Sequence, residues 1–190
     1  MSHGYMLRWL PVCTESEKMK RPNRQRTTNL VGAFVLAAGH ELRGATEQAA
    51  SHTASGPSAL AALATWPGST LEELRRTLGL SQPGVVRLVD RLAADGLVSR
   101  QPGRDGRSRS LVLTERGEQV AQDVLDARDR TMAAICAPLE AAELEQLTAL
   151  LERMLERLPG DRDDAHFLCR LCDHDACADP YCPIDRGVPA

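Results

Sequence analysis

The chain has 190 residues, enough for one domain of ordinary size with appendages and too few for two independent large cores. Aromatic residues supply 3% of it against 43% hydrophobic residues in all, so its core is aliphatic, which favours packed helices over an aromatic-rich β-sandwich. The net charge of −3 is unevenly spread: residues 1–28 hold six Lys/Arg against two Glu and residues 75–110 eight Arg against three Asp, while 114–158 and 161–190 are acidic, a pattern that suits a polyanion-binding face on a scaffold the polyanion does not otherwise attract.

No run reaches 18 apolar residues, and Met1 to Val12 is interrupted by Arg8 with no small-residue cleavage site after it. Neither a membrane span nor a secretory signal is expected. Six Cys without an export signal point to a reducing, cytoplasmic compartment, where clustered thiols hold metal more often than they form disulfides.

Residues 1–28 show no sustained periodicity and contain Pro11, Pro22 and the cluster Lys18, Lys20, Arg21, Arg24 and Arg26, which reads as a mobile basic arm, with Met1 and Met19 both standing as start positions. From Asn29 the apolar positions Val31, Val35, Ala38, Leu42, Ala45 and Ala49 alternate spacings of four and three, one stripe of a helix. Ser55-Gly56-Pro57 breaks it, and Ala59 to Trp66 form a short second helix stopped by Pro67-Gly68. Thr70-x-x-Glu73 is a capping box that opens a third helix ending at Gly79. Ser81 caps a fourth, with Val85, Leu88, Val89 and Leu92 turned inward and Gln82, Gly84, Arg87 and Arg91 on the other side.

Two short strands, Leu97 to Gln101 and Arg109 to Leu113, flank a tip rich in Gly and Arg. Thr114 opens a fifth helix that runs to about Ala137 before Pro138. A sixth, Ala141 to Leu158, sets Leu144, Leu147, Leu151, Met154 and Leu158 in a coiled-coil-like seam. Pro159-Gly160 ends it, and the acidic stretch Asp161 to Asp164 leads as a linker into a Cys-rich tail too short to bury a core.

Counted from Leu71, the apolar places of a helix-turn-helix are filled by Leu74, Leu78, Leu80, Val85 and Leu88, with Gly79 at the turn; Arg75 departs from the small residue usual at its place. The segment Leu97 to Gly117, with its Asp105-x-Arg107 tip and its Leu113-Thr114-x-x-Gly117 entry to the next helix, resembles the wing of the MarR family of winged-helix regulators. That resemblance spans about residues 29–158. It implies a mainly α fold with a small β-wing, a DNA-binding part at 59–113, dimerisation parts at 29–54 and 114–158, and an added segment at 159–190.

It further implies a homodimeric, sequence-specific regulator of transcription with double-stranded DNA as partner and a small-molecule effector as a second one; with the Cys-rich segment added, the expectation is a repressor responsive to a ligand, metal or redox signal. The residues expected at DNA are Ser81, Gln82, Pro83, Arg87 and Arg91 in the major groove and Arg100, Arg104, Asp105, Arg107 and Arg109 on the wing, where Asp105 orients the arginines and Arg107 enters the minor groove. A winged helix that contacts protein as an adaptor is the alternative, because exposed arginines also form ordinary solvated faces. An enzyme is not expected: the five His are scattered, and neither Ser-His-Asp, His-Glu-x-x-His nor a phosphate-cradling Gly loop occurs.

Cys169, Cys172, Cys177 and Cys182 form C-x2-C-x4-C-x4-C, four soft ligands within fourteen residues beside Asp173, Asp175 and Asp179. Zinc is the favoured occupant, an iron–sulfur cluster the alternative, and a reduced or disulfide-bonded tail the bland reading. Cys136 reads as a small core residue and Cys13 as incidental.

Overall fold

The structure is a computed structural model and describes residues 24–103, 109–177 and 182–189. Two units divide between Ala37 and Ala38. Of the first, residues 24–37 form the N-terminal part of helix α1 (Arg24–Ala50), and Leu30, Val31, Phe34, Val35 and Leu36 are exposed on it. The helix therefore begins at Arg24, inside the stretch expected as an arm and seven residues before Val31 opens the apolar stripe, since nothing between Pro22 and Asn29 breaks it.

The second unit holds the rest of the architecture. Helix α2 (Gly56–Thr65) is nearly all buried, and Pro57 sits in its first turn, where a missing N–H costs nothing; Ser55-Gly56-Pro57 thus starts a helix as well as ending one. Helices α3 (Leu71–Leu78) and α4 (Gln82–Ala94) follow, then an antiparallel pair, β1 (Val98–Pro102) and β2 (Arg109–Leu113), with Val98 opposite Leu113 and Pro102 opposite Arg109. Thr70 bridges to Ser110, and Gly68 N–H and Ser69 C=O bond both polar groups of Leu111, so the chain entering α3 is tied to β2 by an isolated bridge. Helix α5 (Glu115–Cys136) packs across α2. Leu60, Leu63, Leu74, Val85, Val89, Leu92, Leu111 and Val124 close the core of these elements, all of them aliphatic.

Helix α6 (Ala141–Leu155) has no buried residue; Leu144, Leu150, Leu151 and Met154 are exposed along it, as is Leu158 just after it. It ends three residues before the Leu158 boundary suggested by the stripe, because residues 156–158 tighten into turns ahead of Pro159.

The C-terminal segment corrects the expectation of a linker and a coreless tail. Asp161 accepts a hydrogen bond from Asp164 N–H at 2.8 Å and so caps helix α7 (Arg162–Cys169), and Cys182 precedes helix α8 (Pro183–Gly187). Ala165, Cys182 and Ile184 are buried together, with Leu155, Leu168, Cys169 and Val188 against them, while Leu171 reaches the main core. What looked like a solvated charge run is a helix N-terminus, where carboxylates suit both the open N–H groups and the dipole.

Candidate nucleic-acid interface

The recognition unit is held by short-range chemistry. Thr70 Oγ1 accepts from Glu73 N–H at 3.2 Å, and the Glu73 carboxylate accepts from Thr70 N–H at 2.6 Å, which closes the capping box of α3. These bonds from Thr70, the backbone one foremost, lower the Glu73 pKa below its ordinary value. Gly79 takes φ = 62°, the left-handed conformation a tight turn needs, and Arg75 spans that turn by donating to Leu80 C=O at 3.2 Å while its Nε donates to Glu72 at 2.8 Å. The unusual Arg75 therefore clamps the turn and leaves the crossing of α3 and α4 intact.

Ser81 Oγ accepts from Gly84 N–H at 3.3 Å and caps α4. Val85, Leu88, Val89 and Leu92 anchor the inner face, which leaves Ser81, Gln82, Pro83, Arg87 and Arg91 exposed on the outer one. No described carboxylate pairs with Arg87 or Arg91. On the wing, Arg109 is exposed on β2, and Arg100 on β1 donates to Asp90 of α4 at 2.5 Å. Asp90, which the sequence reading did not single out, thus ties the wing to the recognition helix and orients an arginine. Arg104, Asp105 and Arg107 lie outside the described residues.

Gly117 shows why the entry to α5 has its form. A Cβ there would stand 1.9 Å from Leu97 C=O, and Thr114 Oγ1 donates to Gly96 C=O at 2.6 Å while accepting from Gly117 N–H at 3.0 Å. The wing is locked onto α5 by this close approach.

Residues 57–108 match the model of the MarR family. The matched stretch runs from α2 through β1. MepR, a transcription regulator of the Staphylococcus aureus multidrug efflux pump MepA, is similar over 70% of this chain and 98% of its own, at 22% identity and a TM-score of 0.61. YusO of Bacillus subtilis matches over 70% and 97%, at 20% identity and a TM-score of 0.60. MarR of E. coli in its apo form matches over 65% and 96%, at 22% identity and a TM-score of 0.55. The fold is the MarR-type winged helix, mostly helical with a two-stranded wing.

The family match ends before the cysteines. Cys169 at the end of α7, Cys172 in the turn after it, Cys177 and Cys182 all line one cavity of about 300 Å³, together with Trp66, His166 and His174. The interaction with the Cys172 thiol, foremost, and burial push the Cys169 thiol up; the same interaction brings Cys172 down to about 7, with burial opposing and Arg128 and Arg170 assisting. Burial raises Cys177. Among the described residues no three His, Cys, Asp or Glu side chains are drawn up as a closed ion-ligand set. The Trp66 ring meets those of His166 and His174 at centroid distances of 5.0 and 5.1 Å. His166 and Trp66 escaped the sequence reading because His166 joins Cys169 only once α7 is recognised as a helix, on which positions i and i+3 share a face. Cys136 is half-buried on α5, away from this cavity's lining.

Proposed function

We propose that the protein is a homodimeric, sequence-specific DNA-binding regulator of transcription, a repressor whose hold on DNA is set by a signal received behind the helix-turn-helix. One observation carries the reading: a helix anchored by four buried aliphatic residues presents Gln82, Arg87 and Arg91 outward, free of described carboxylates, beside a wing that carries Arg100 and Arg109. Arginine forks suit guanine edges and phosphates, and a helix of this kind fits a major groove. The likeness to transcription regulators supports the same role.

The exposed apolar residues of α6 support a dimer, since Leu144, Leu150, Leu151 and Met154 on one helix gain most from burial against a second copy. A groove lined by Ser69, Thr70, Arg76, Arg162 and His166, of about 920 Å³, offers a small polar effector a place against α3.

The test is binding of the full chain to duplex fragments at graded salt. A regulator binds with an affinity that falls steeply as salt rises, and Arg91→Ala lowers that slope. Failure of the dimeric chain to bind any fragment at low salt would leave the adaptor reading in its place.

A further inference from the structure

We propose that Cys169, Cys172, Cys177 and Cys182 hold one metal centre as four thiolates, and that this centre fastens α7 against the back of the helix-turn-helix so that its loss weakens DNA binding. The first half stands on the C-terminal lobe alone. The second rests on the DNA-binding function proposed above.

Four thiols from a helix end, a turn, a loop and the cap of α8 line a single cavity, open to one another though not drawn up around an ion, and none of them is in a disulfide. Among the described residues from 159 on, Pro159, Ala165, Cys182, Pro183 and Ile184 are the buried ones, too little apolar surface to order so short a segment unaided. Small modules of this kind are ordered by cross-links, and in free-thiol form a metal is the cross-link left. Ligation by the four thiols releases their protons to solvent and leaves the centre anionic with either a zinc ion or a cluster. Arg170 and Arg128 of α5 supply positive charge beside Cys172. An all-sulfur set has no open position, so the centre is structural or sensing in kind, not catalytic.

What the lobe touches decides what the centre can do. Phe167 of α7 lies against the turn, its ring carbon 3.1 Å from where a Cβ on Gly79 would be, and Arg170 stacks 3.9 Å over that ring. Asp163 pairs with Arg76 of α3 at 3.4 Å, and Trp66, which ends α2, meets His166 at a tilt and His174 edge-on. Gly79 sets the angle between α3 and the recognition helix. A lobe that loosens on metal loss releases these contacts together, and metal binding differs in free energy between the docked and released arrangements.

The experiment uses the full chain with Trp9→Phe, which leaves Trp66 as the one indole, purified under reducing, oxygen-free conditions. Metal, sulfide and absorption spectrum are measured; the protein is then stripped with chelator and titrated with Zn2+ alone or with Fe2+ and sulfide. A colourless protein with one zinc per chain, or visible absorbance with iron and sulfide, supports the centre and tells the two occupants apart. Trp66 emission is expected to shift on loading, and affinity for a random-sequence duplex pool to fall at least tenfold on stripping.

Cys169→Ser with Cys172→Ser is expected to abolish uptake. Cys177→Ser, at an exposed position that leaves the small core untouched, is expected to weaken zinc at least tenfold against a competing chelator while helix content holds. No uptake by the reduced chain, or stoichiometric metal retained in the variants, overturns the centre. Equal DNA affinity of loaded and stripped protein overturns its link to α3. A loaded chain that binds metal but no DNA overturns the DNA-binding reading and leaves the centre standing.

Discussion

Gly117 has no room for a side chain, because a Cβ would stand 1.9 Å from the Leu97 carbonyl oxygen, far inside van der Waals contact, and that neighbour is backbone, which cannot swing away. Gly117→Ala is expected to destabilise the domain by about 3 kcal/mol or more, read as a lowered midpoint in chemical denaturation. Thr70 makes a smaller contribution: Thr70→Ala removes one acceptor of the capping box and is expected to cost about 1 kcal/mol. Glu73 adds a pH dependence. Its folded pKa is depressed, so its contribution is complete above the unfolded carboxylate value and is lost as pH falls through the folded one. The stability gap between the parent and Glu73→Ala is therefore expected to narrow from pH 7 to pH 3, and a gap that widens would reverse the assignment.

The capping box, the Gly79 turn and the Thr114-x-x-Gly117 entry were all legible in the sequence because each is an i,i+3 pattern or a single residue with a backbone requirement. Contacts such as Phe167 on Gly79 or Arg100 on Asp90 join residues whose spacing carries no period, and only the fold brings them together.

Among the elements, α4 follows from the helical period of its apolar positions, which made its inward and outward sides readable. Arg87→Ala is expected to relax base preference at one position of the site, by about 1–3 kcal/mol, while Arg91→Ala weakens binding evenly across sequences if it meets phosphate. Competition among duplexes of varied sequence separates the two. Helix α7 was not legible. Its first turn, Arg162-Asp163-Asp164, has the composition of a solvated linker, and only Ala165 and Leu168 mark an inward side, too few for a period to emerge in eight residues. The four cysteines were legible as a spacing, whereas their shared cavity with Trp66 and His166 required α7 to fold back onto α3.

At the scale of the whole molecule, the account needs two copies. Leu147 is half-buried and Leu151 exposed on α6, a helix that buries nothing within the described chain. Leu147→Asp with Leu151→Asp is expected to place charges in the seam and to yield a monomer by sedimentation, or an unfolded chain; an unchanged dimer would move the seam elsewhere.

Two-fold symmetry then dictates the form of the DNA site. The most direct measurement is selection of bound duplexes from a random-sequence pool by the full, metal-loaded chain at moderate salt. The account predicts enrichment of an inverted repeat whose half-sites lie one helical turn apart, about 34 Å along the duplex, with enrichment lost in Arg87→Ala combined with Arg91→Ala. A pool that stays random after repeated rounds, or enrichment that survives that double substitution, would contradict it.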